Sequence, residues 1–194
     1  APKLGLKVAA FKGWDAKQSS YEALANAIKA SGADGIFLGG IICNNGEKLI
    51  KDLTSGVPNA TLIAPDGFSD PASNGTAFDG SYASVAGEPP DKLKGEGATF
   101  IKDFGDQIGE TPNPYSQYGA QAMDVMLEAI KKSDGTRGSV TSNLFGLKIT
   151  DGILGTFTIN DQGDTSLTPI TIYQQKSNQL NPVKTLTPPD NLTS

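Results

Sequence analysis

The stretch that decides the fold is Gly32–Phe68, GADGIFLGGIICNNGEKLIKDLTSGVPNATLIAPDGF. Two short apolar runs, Gly35–Gly40 and Thr61–Ala64, flank a segment in which apolar residues recur at helical spacing. Each run is continuous rather than alternating, as in strands that are buried on both faces of a parallel sheet. The stretch therefore predicts a β-α-β unit with a right-handed crossover.

Each of these strands is followed by a loop with candidate binding residues, Gly39–Asn44 in one case and Pro65–Phe68 in the other. In open parallel sheets the carboxyl ends of strands lie side by side, and ligands bind there. One loop offers small, mostly apolar residues, and the other offers one acid, Asp66. This pairing suits a small polar molecule with an apolar part, and it suits a phosphate or a metal poorly.

Several residues of the two loops have alternative interpretations. Asp66 either starts a turn or pairs with a cationic group of a ligand, such as an ammonium. The Gly39-Gly40 pair serves either tight strand-to-helix packing or a close approach of the backbone to a ligand. We also expect Asn44 or Asn45 to cap the next helix, with free backbone N–H groups over residues 44–47 that can receive a carboxylate.

Trp14 and Cys43 are further candidates for the cleft wall. Trp14 follows a strand expected at Leu6–Phe11, and it either covers the edge of the domain or forms an aromatic wall. Cys43 is the only cysteine, and the chain has no histidine. Because a nucleophilic cysteine needs a partner that stabilises its thiolate, we interpret Cys43 as a small packing residue near the loop.

The composition disfavours several classes of function. The 194 residues suffice for one or two domains, and a net charge of −5 disfavours nucleic acid as a partner. No apolar run approaches the ~20 residues of a transmembrane helix, and residues 1–13 lack the apolar core of a signal peptide. A chain without histidine, a nucleotide-binding loop or a Gly-x-Ser-x-Gly elbow is not typical of an enzyme.

The same signals predict the remaining elements. A strand is expected at Leu6–Phe11, and the following helix is expected to begin with a capping box formed by Ser19 and Glu22. The other expected elements are a strand at Ser81–Ala86, helices at Gly97–Ile108, Tyr115–Lys132 and Ser139–Phe145, a hairpin that joins Ile153–Ile159 to Pro169–Tyr173, and a polar tail from Lys176.

The order of five motifs resembles that of a known family. The motifs are Gly-Trp-Asp at 13–15, Ser-Gly-Ala-Asp-Gly-Ile-Phe-Leu-Gly-Gly at 31–40, Ala-Pro-Asp-Gly-Phe at 64–68, Pro-Tyr-Ser-Gln-Tyr-Gly-Ala-Gln-Ala-Met-Asp at 114–124 and Gly-Thr-Phe-Thr-Ile-Asn-Asp-Gln-Gly-Asp at 155–164. The chain is similar in this order to the substrate-binding proteins of branched-chain amino acid ABC transporters, which have the type I periplasmic binding fold.

The resemblance implies an α/β fold in which two lobes close on the ligand about a three-strand hinge. This chain would be the C-terminal part, a Rossmann-like parallel-sheet lobe with helices from a second lobe and a C-terminal β-hairpin. Residues 1–111 would form the second-lobe domain, incomplete at its N-terminus, and 112–150 a helical segment of the other lobe. Residues 151–175 would return to the second lobe, and 176–194 would be a polar tail.

The resemblance also implies a function. The protein would be an extracytoplasmic solute-binding protein, periplasmic or a cell-surface lipoprotein, whose precursor carries a signal peptide. It would capture an amino acid-like ligand by lobe closure and deliver it to a membrane permease, without a cofactor, a metal or catalysis. The alternatives are a ligand-sensing domain of a receptor with the same fold and, as the weakest, a doubly wound enzyme.

In this family the two loops supply the second lobe's ligand contacts, so the resemblance assigns that role to Ile41, Ile42 and Asp66. Amino acid binders of the family often carry an aromatic residue in the first loop and a glutamate as the acid. The missing N-terminal lobe, or a second copy, would cover the apolar stripe of the Tyr115–Lys132 helix. The expected ligand-binding residues are Trp14, Ile41, Ile42, Cys43, Asn44, Asp66, Gly67 and Phe68.

Overall fold

The structure is a computed structural model, and it describes residues 2–189. These residues form two compact units. Unit 1 comprises the described residues up to Ala86 and those from Ile170 onward, and unit 2 is Gly87–Pro169.

Unit 1 is built on a five-stranded sheet. Its elements are α1 (Glu22–Ser31), β1 (Gly35–Phe37), α2 (Gly46–Gly56), β2 (Thr61–Ala64), α3 (Pro71–Asn74), β3 (Tyr82–Ala86), β6 (Ile170–Lys176) and β7 (Gln179–Leu186). The strand order is β1-β2-β3-β6-β7, in which β1, β2 and β3 are parallel and β6 and β7 are antiparallel. The expected α/β fold with a mostly parallel sheet is confirmed, and its C-terminal strands β6 and β7 are antiparallel.

The core of unit 1 lies between the sheet and the helices. On α2, Leu49, Ile50 and Leu53 are at most 1% exposed, which confirms the helical repeat predicted for them. They pack with Phe68 and Phe78 in the largest apolar cluster of this unit. Burying one such side chain stabilises the fold by about 1.5–3 kcal/mol, so this single helix face contributes several kcal/mol.

The start of α1 differs from the prediction. Its N-cap residue is Tyr21, and Ser19 makes no capping bond. The Tyr21 N–H instead donates to Asp52 on α2 at 2.7 Å. The hydrogen bond from Lys48 holds the pKa of Asp52 below its usual range. The predicted capping box of Ser19 and Glu22 is therefore wrong, because the Glu22 N–H that Ser19 would accept donates to Ser20 Oγ at 3.2 Å and the helix begins only at Glu22.

The segment Leu6–Phe11 does not form the expected strand. Leu6, Val8 and Phe11 are 60%, 58% and 96% exposed. A strand depends on a neighbour for its backbone hydrogen bonds, and among the described residues this segment has none. The prediction is wrong for this chain, although the composition of the segment remains typical of a strand.

Unit 2 consists of three helices and a small hairpin. Its elements are α4 (Glu96–Ile108), α5 (Ser116–Lys131), α6 (Arg137–Leu144), β4 (Lys148–Gly152) and β5 (Gly155–Thr158). The three helices confirm the sequence predictions to within two residues at each end. Its core is small and consists of Val125, Leu147, Ile149 and Phe157.

Two predictions about the C-terminal part are wrong. The expected hairpin between Ile153–Ile159 and Pro169–Tyr173 does not form, because β5 pairs with β4 and β6 pairs with β3 and β7. The expected polar tail instead contains β7, where Pro182 is tolerated because an edge strand needs no outward N–H. Residues 190–194 of that tail lie outside the described part of the chain.

The two units also divide the chain differently from the lobe boundaries expected above. Residues 87–111 and 151–169 belong to the same unit as the helical segment 112–150. The assignment of these segments to two lobes of a longer protein stays a prediction.

Candidate ligand-binding site

The loops that follow β1 and β2 are in direct contact. The Ile42 N–H donates to the Gly67 carbonyl at 2.9 Å. A Cβ atom at Gly67 would lie 2.5 Å from Ile41 Cγ2 and 2.7 Å from the Gly40 carbonyl oxygen. The loops therefore lie side by side at the carboxyl edge of the sheet, as the topology predicts.

Apolar and acidic side chains face solvent at this edge. Ile41 is 47% exposed, and Asp66, the residue before Gly67, is exposed as well. Cys43 and Asn44 are exposed, whereas Ile42 is half-buried. The edge therefore offers an apolar surface and a carboxylate on two loops that touch each other, which suits a ligand with a cationic group and an apolar part.

Phe68 supports the site from the core. Its side chain is fully buried and stacks on Phe78, with ring centroids 6.3 Å apart and an interplanar angle of 21°. A Cβ atom at Gly46 would lie 2.9 Å from Phe68 Cε1, so the ring also packs against the start of α2. In this structure Phe68 can offer a ligand only backbone atoms, and its side chain acts by positioning the loop.

Trp14 packs against the first loop. A Cβ atom at Gly40 would lie 2.9 Å from Trp14 Cζ2, whereas one at Gly39 would have only Phe37 within reach, at 3.8 Å. The indole makes an edge-to-face contact with Tyr21, with centroids 6.1 Å apart. The two glycines thus differ, since Gly40 permits tight packing of an aromatic ring and Gly39 stays open.

The start of α2 offers fewer free backbone donors than expected. Asn45 is the N-cap residue and has a left-handed conformation with φ 65°. The Asn44 N–H donates to the Ile41 carbonyl at 3.2 Å, and the Gly46 N–H donates to the Ile42 carbonyl at 2.8 Å. The prediction of free N–H groups over residues 44–47 is therefore wrong for Asn44 and Gly46, because the turn before the helix already pairs them.

Three other features of the described chain bear on the kind of site it can hold. Within residues 2–189, no three His, Cys, Asp or Glu side chains lie close enough together to hold a metal ion. None of the helices in this range is long and apolar enough to cross a membrane. A cavity of about 250 Å³ in unit 2 has a single charged side chain, Glu110, in its lining, so we assign it no ligand.

Sequence analysis missed a set of buried polar residues behind the site. Asn74, on α3, and Gln175, on β6, are fully buried and hydrogen-bonded to each other at 3.0 Å. They are 101 residues apart in the chain, so no local pattern indicates the pair.

Comparison with known proteins gives a consistent result. A family model for periplasmic binding proteins matches residues 1–179. The structure is similar to that of the leucine-binding protein LivK of Thermotoga maritima, with a TM-score of 0.80 and 17% identity over 90% of this chain and 50% of that one. No match was found among curated protein sequences.

Two further solved structures show the same fold with different ligands. LivJ of Streptococcus pneumoniae, a branched-chain amino acid transporter substrate-binding protein in complex with isoleucine, has a TM-score of 0.75 and 14% identity over 90% of this chain and 51% of that one. A solute-binding protein of an ABC transporter from Rhodopseudomonas palustris HaA2, in complex with p-hydroxybenzoic acid, has a TM-score of 0.73 and 15% identity over 97% and 55%. The chain spans about half the length of these proteins.

Proposed function

Because the chain belongs to the periplasmic binding protein family, we propose that it is part of an extracytoplasmic solute-binding protein, which delivers a small ligand to an ABC transporter permease. It acts by binding and not by catalysis. The observation that supports this most is the Ile42–Gly67 contact, which holds an apolar loop and an acidic loop together at the carboxyl edge of the sheet. Ligands bind at this edge in open α/β sheets.

The ligand we propose is an amino acid with an apolar side chain. Ile41 offers apolar surface, and Asp66 offers a carboxylate to the ammonium group. Solved structures of this fold contain isoleucine in one protein and p-hydroxybenzoic acid in another. An aromatic acid would bring a second carboxylate toward Asp66, and like charges at a desolvated site repel, so the acid favours the amino acid.

Binding in this proposal needs a second lobe. A micromolar site corresponds to about −8 kcal/mol. Losing even one buried charged contact, at ~2–5 kcal/mol, would weaken such a site toward the millimolar range. Since closure draws its energy from ligand contacts with both lobes, the isolated chain is expected to bind weakly or not at all.

The free edge of the sheet supports the proposal that a further segment covers unit 1. Asp34 and Leu38 make their backbone hydrogen bonds toward β2. Because successive strand residues alternate in direction, the backbone groups of Gly35 and Phe37 between them point away from β2. Phe37 is 64% exposed. No strand within residues 2–189 pairs with this edge, so its outward backbone groups are available to another strand.

The opposite edge of the same sheet is protected. Its strand β7 contains Pro182 and Lys184, two residue types that discourage pairing with another strand, and its pairing with β6 includes a register shift. The strand β1, Gly-Ile-Phe, has none of these features. The difference is expected if β7 is a true edge and β1 lies inside a larger sheet.

In unit 2, α5 has an exposed apolar stripe. Met123, Leu127 and Ile130 are 60%, 54% and 49% exposed, and their spacing places them on one helix face. Such a stripe marks a surface that packs against another part of the protein. We propose that the missing N-terminal lobe covers it, and a second copy of the chain is the alternative occupant.

The test is ligand binding by the native-length gene product and by this chain, measured with isothermal titration calorimetry. L-leucine and L-isoleucine are expected to bind the native-length protein in the micromolar range, and p-hydroxybenzoate is not. Asp66→Asn should weaken amino acid binding about 30-fold or more, since a buried charged contact is worth ~2–5 kcal/mol. Asp103→Asn, a change at an exposed residue of α4, is the control.

Two results would contradict the proposal. Unchanged affinity in Asp66→Asn would remove this acid from the site. Micromolar binding by the isolated chain would show that no second lobe is needed.

A further inference from the structure

Behind the loop that carries Asp66, buried amide groups form a continuous hydrogen-bonded series. Asn74 Nδ2 donates to the Phe68 carbonyl at 2.7 Å and to Gln175 Oε1 at 3.0 Å. Gln175 Nε2 donates to the Gly75 carbonyl at 2.8 Å and to Asp79 Oδ1 at 3.2 Å. Because both amide side chains are fully buried, a lost bond leaves a buried polar group unpaired, and that is costly.

One end of this series is the turn between β6 and β7. Ser177 and Asn178 have φ values of 52° and 60°, as a tight hairpin turn requires. Their N–H groups donate to the Asp79 carboxylate at 3.2 and 3.4 Å. Asp79 therefore holds the hairpin turn and the amide of Gln175 together.

The other end is the candidate site. The Phe68 carbonyl belongs to the 3₁₀ turn Asp66–Phe68, in which the Ser69 N–H donates to the Asp66 carbonyl at 2.8 Å. The adjacent Gly67 carbonyl accepts the Ile42 N–H from the other loop. A displacement of the Phe68 carbonyl would therefore shift both the backbone of Asp66 and the contact between the two loops.

We infer that Asn74 and Gln175 are positioning residues, which hold the Asp66 loop in its binding geometry and couple it to the C-terminal hairpin. The Asn74 side chain is held only by the two hydrogen bonds that its Nδ2 donates, to the Phe68 carbonyl and to Gln175, because its Oδ1 has no hydrogen-bond partner among the described residues. The role in ligand binding rests on the proposed function, whereas the control of loop position does not. If the pair only stabilised the fold, its loss would lower the stability of the whole unit and would not loosen this loop selectively.

The experiment that separates these roles is amide hydrogen exchange by NMR on this chain. Gln175→Met keeps the side-chain length and removes both polar atoms. The Ser69 and Ile42 amides report on the loop, and the Val57 amide, bonded to the Leu53 carbonyl at 2.8 Å in α2, reports on the unit as a whole. Gln174→Met is the control, because within the described residues this neighbouring side chain bonds only to the Gly80 carbonyl, at 3.1 Å.

We expect Gln175→Met to accelerate exchange at Ser69 and Ile42 about tenfold more than at Val57, which corresponds to one lost buried hydrogen bond. Gln174→Met should leave the ratio unchanged. Equal acceleration at all three amides would overturn the inference. If Gln175→Met does not fold, Asp79→Asn, a milder change at an exposed residue, is measured instead. It should accelerate the loop amides selectively about threefold, and no selective change would overturn the inference.

Ligand binding provides the second measurement. With L-leucine as the probe, Gln175→Met in the native-length protein should weaken binding about tenfold, while Gln174→Met should not. Unchanged leucine affinity in Gln175→Met would contradict a role in binding. A wild-type native-length protein that does not bind leucine would overturn the proposed ligand, and the exchange data would still decide whether the pair positions the loop.

Discussion

Replacing Gly67 with alanine is expected to force the two loops of the candidate site apart. The φ angle of Gly67 is negative, so alanine can adopt its backbone conformation and only the contacts of the added Cβ matter. The new Cβ would lie 2.7 Å from the Gly40 carbonyl oxygen and 3.0 Å from Ile41 Cα, where ordinary contacts begin at 3.4 Å. Both neighbours are backbone atoms, so a change of rotamer cannot relieve the overlap.

The magnitude follows from the shift that is needed. Moving the carbonyl contact to 3.4 Å requires about 0.7 Å, and the same shift would lengthen the 2.9 Å hydrogen bond between Ile42 and Gly67 beyond useful range. Overpacking costs about 1–3 kcal/mol, and a lost hydrogen bond costs about 0.5–1.5 kcal/mol. We expect Gly67→Ala to lower the free energy of unfolding by about 2–4 kcal/mol.

Urea unfolding followed by the fluorescence of Trp14, the only tryptophan, measures this change. With a slope of about 2 kcal/mol per molar urea, the middle of the usual range, the midpoint should fall by roughly 1–2 M. Gly39→Ala is the matched control, because its Cβ would meet nothing closer than 3.8 Å. If both variants unfold at the wild-type urea concentration, the two loops are not packed as described and the reasoning fails.

Three other predictions concern charge and packing elsewhere. The hydrogen bond from Lys48 lowers the pKa of the Asp52 carboxyl in the folded protein. The Asp52 carboxylate therefore stabilises the fold above pH ~3.9, the pKa of an aspartate in an unfolded chain, and this stabilisation is lost as the pH falls through the lower pKa of the folded state. Asp52→Asn should cost at most about 1 kcal/mol at pH 7 because Lys48 is partly exposed, and it should flatten the acid dependence of urea unfolding; an unchanged acid slope would contradict this. Burial raises the pKa of Tyr118, so its phenol should titrate late in an ultraviolet absorbance titration, and wild-type stability should fall as pH rises above ~10 more than in Tyr118→Phe. Gly87 has φ 103°, and a Cβ atom there would overlap the Tyr118 hydroxyl, so Gly87→Ala should destabilise unit 2 by more than about 3 kcal/mol in thermal unfolding. The control Gly135→Ala has φ 88° and no atom near the new Cβ, so it measures the cost of backbone strain alone.

Much of the fold could be predicted because its signals are local. The apolar run of β2 and the repeat of Leu49, Ile50 and Leu53 identify a strand and a helix within a few residues of sequence. The topological rule for parallel sheets then places the loops after β1 and β2 together, and the contact between Ile42 and Gly67 confirms it. The family resemblance came from the order of such local motifs along the chain.

The errors arose where an element depends on a distant partner. The segment Leu6–Phe11 has the composition of a strand, yet a strand exists only if another strand lies beside it. At the start of α1 the Tyr21 N–H donates to Asp52, 31 residues away, and the Glu22 N–H donates to Ser20 Oγ, so the capping box with Ser19 does not form. The pairing of β6 with β3 instead of β5 was likewise invisible in the sequence, because both choices have the same local pattern.

The sequence by itself therefore determined the helices, the parallel β-α-β core and the positions of the two loops, since periodicity and turn residues act over a few residues of chain. Only the tertiary structure decided what supports those loops. The Asn74–Gln175 bond spans 101 residues. Gly67 is needed because a Cβ atom there would lie 2.5 Å from Ile41 Cγ2 of the other loop. Such contacts depend on how distant segments approach in space, and a one-dimensional pattern carries no information about that distance.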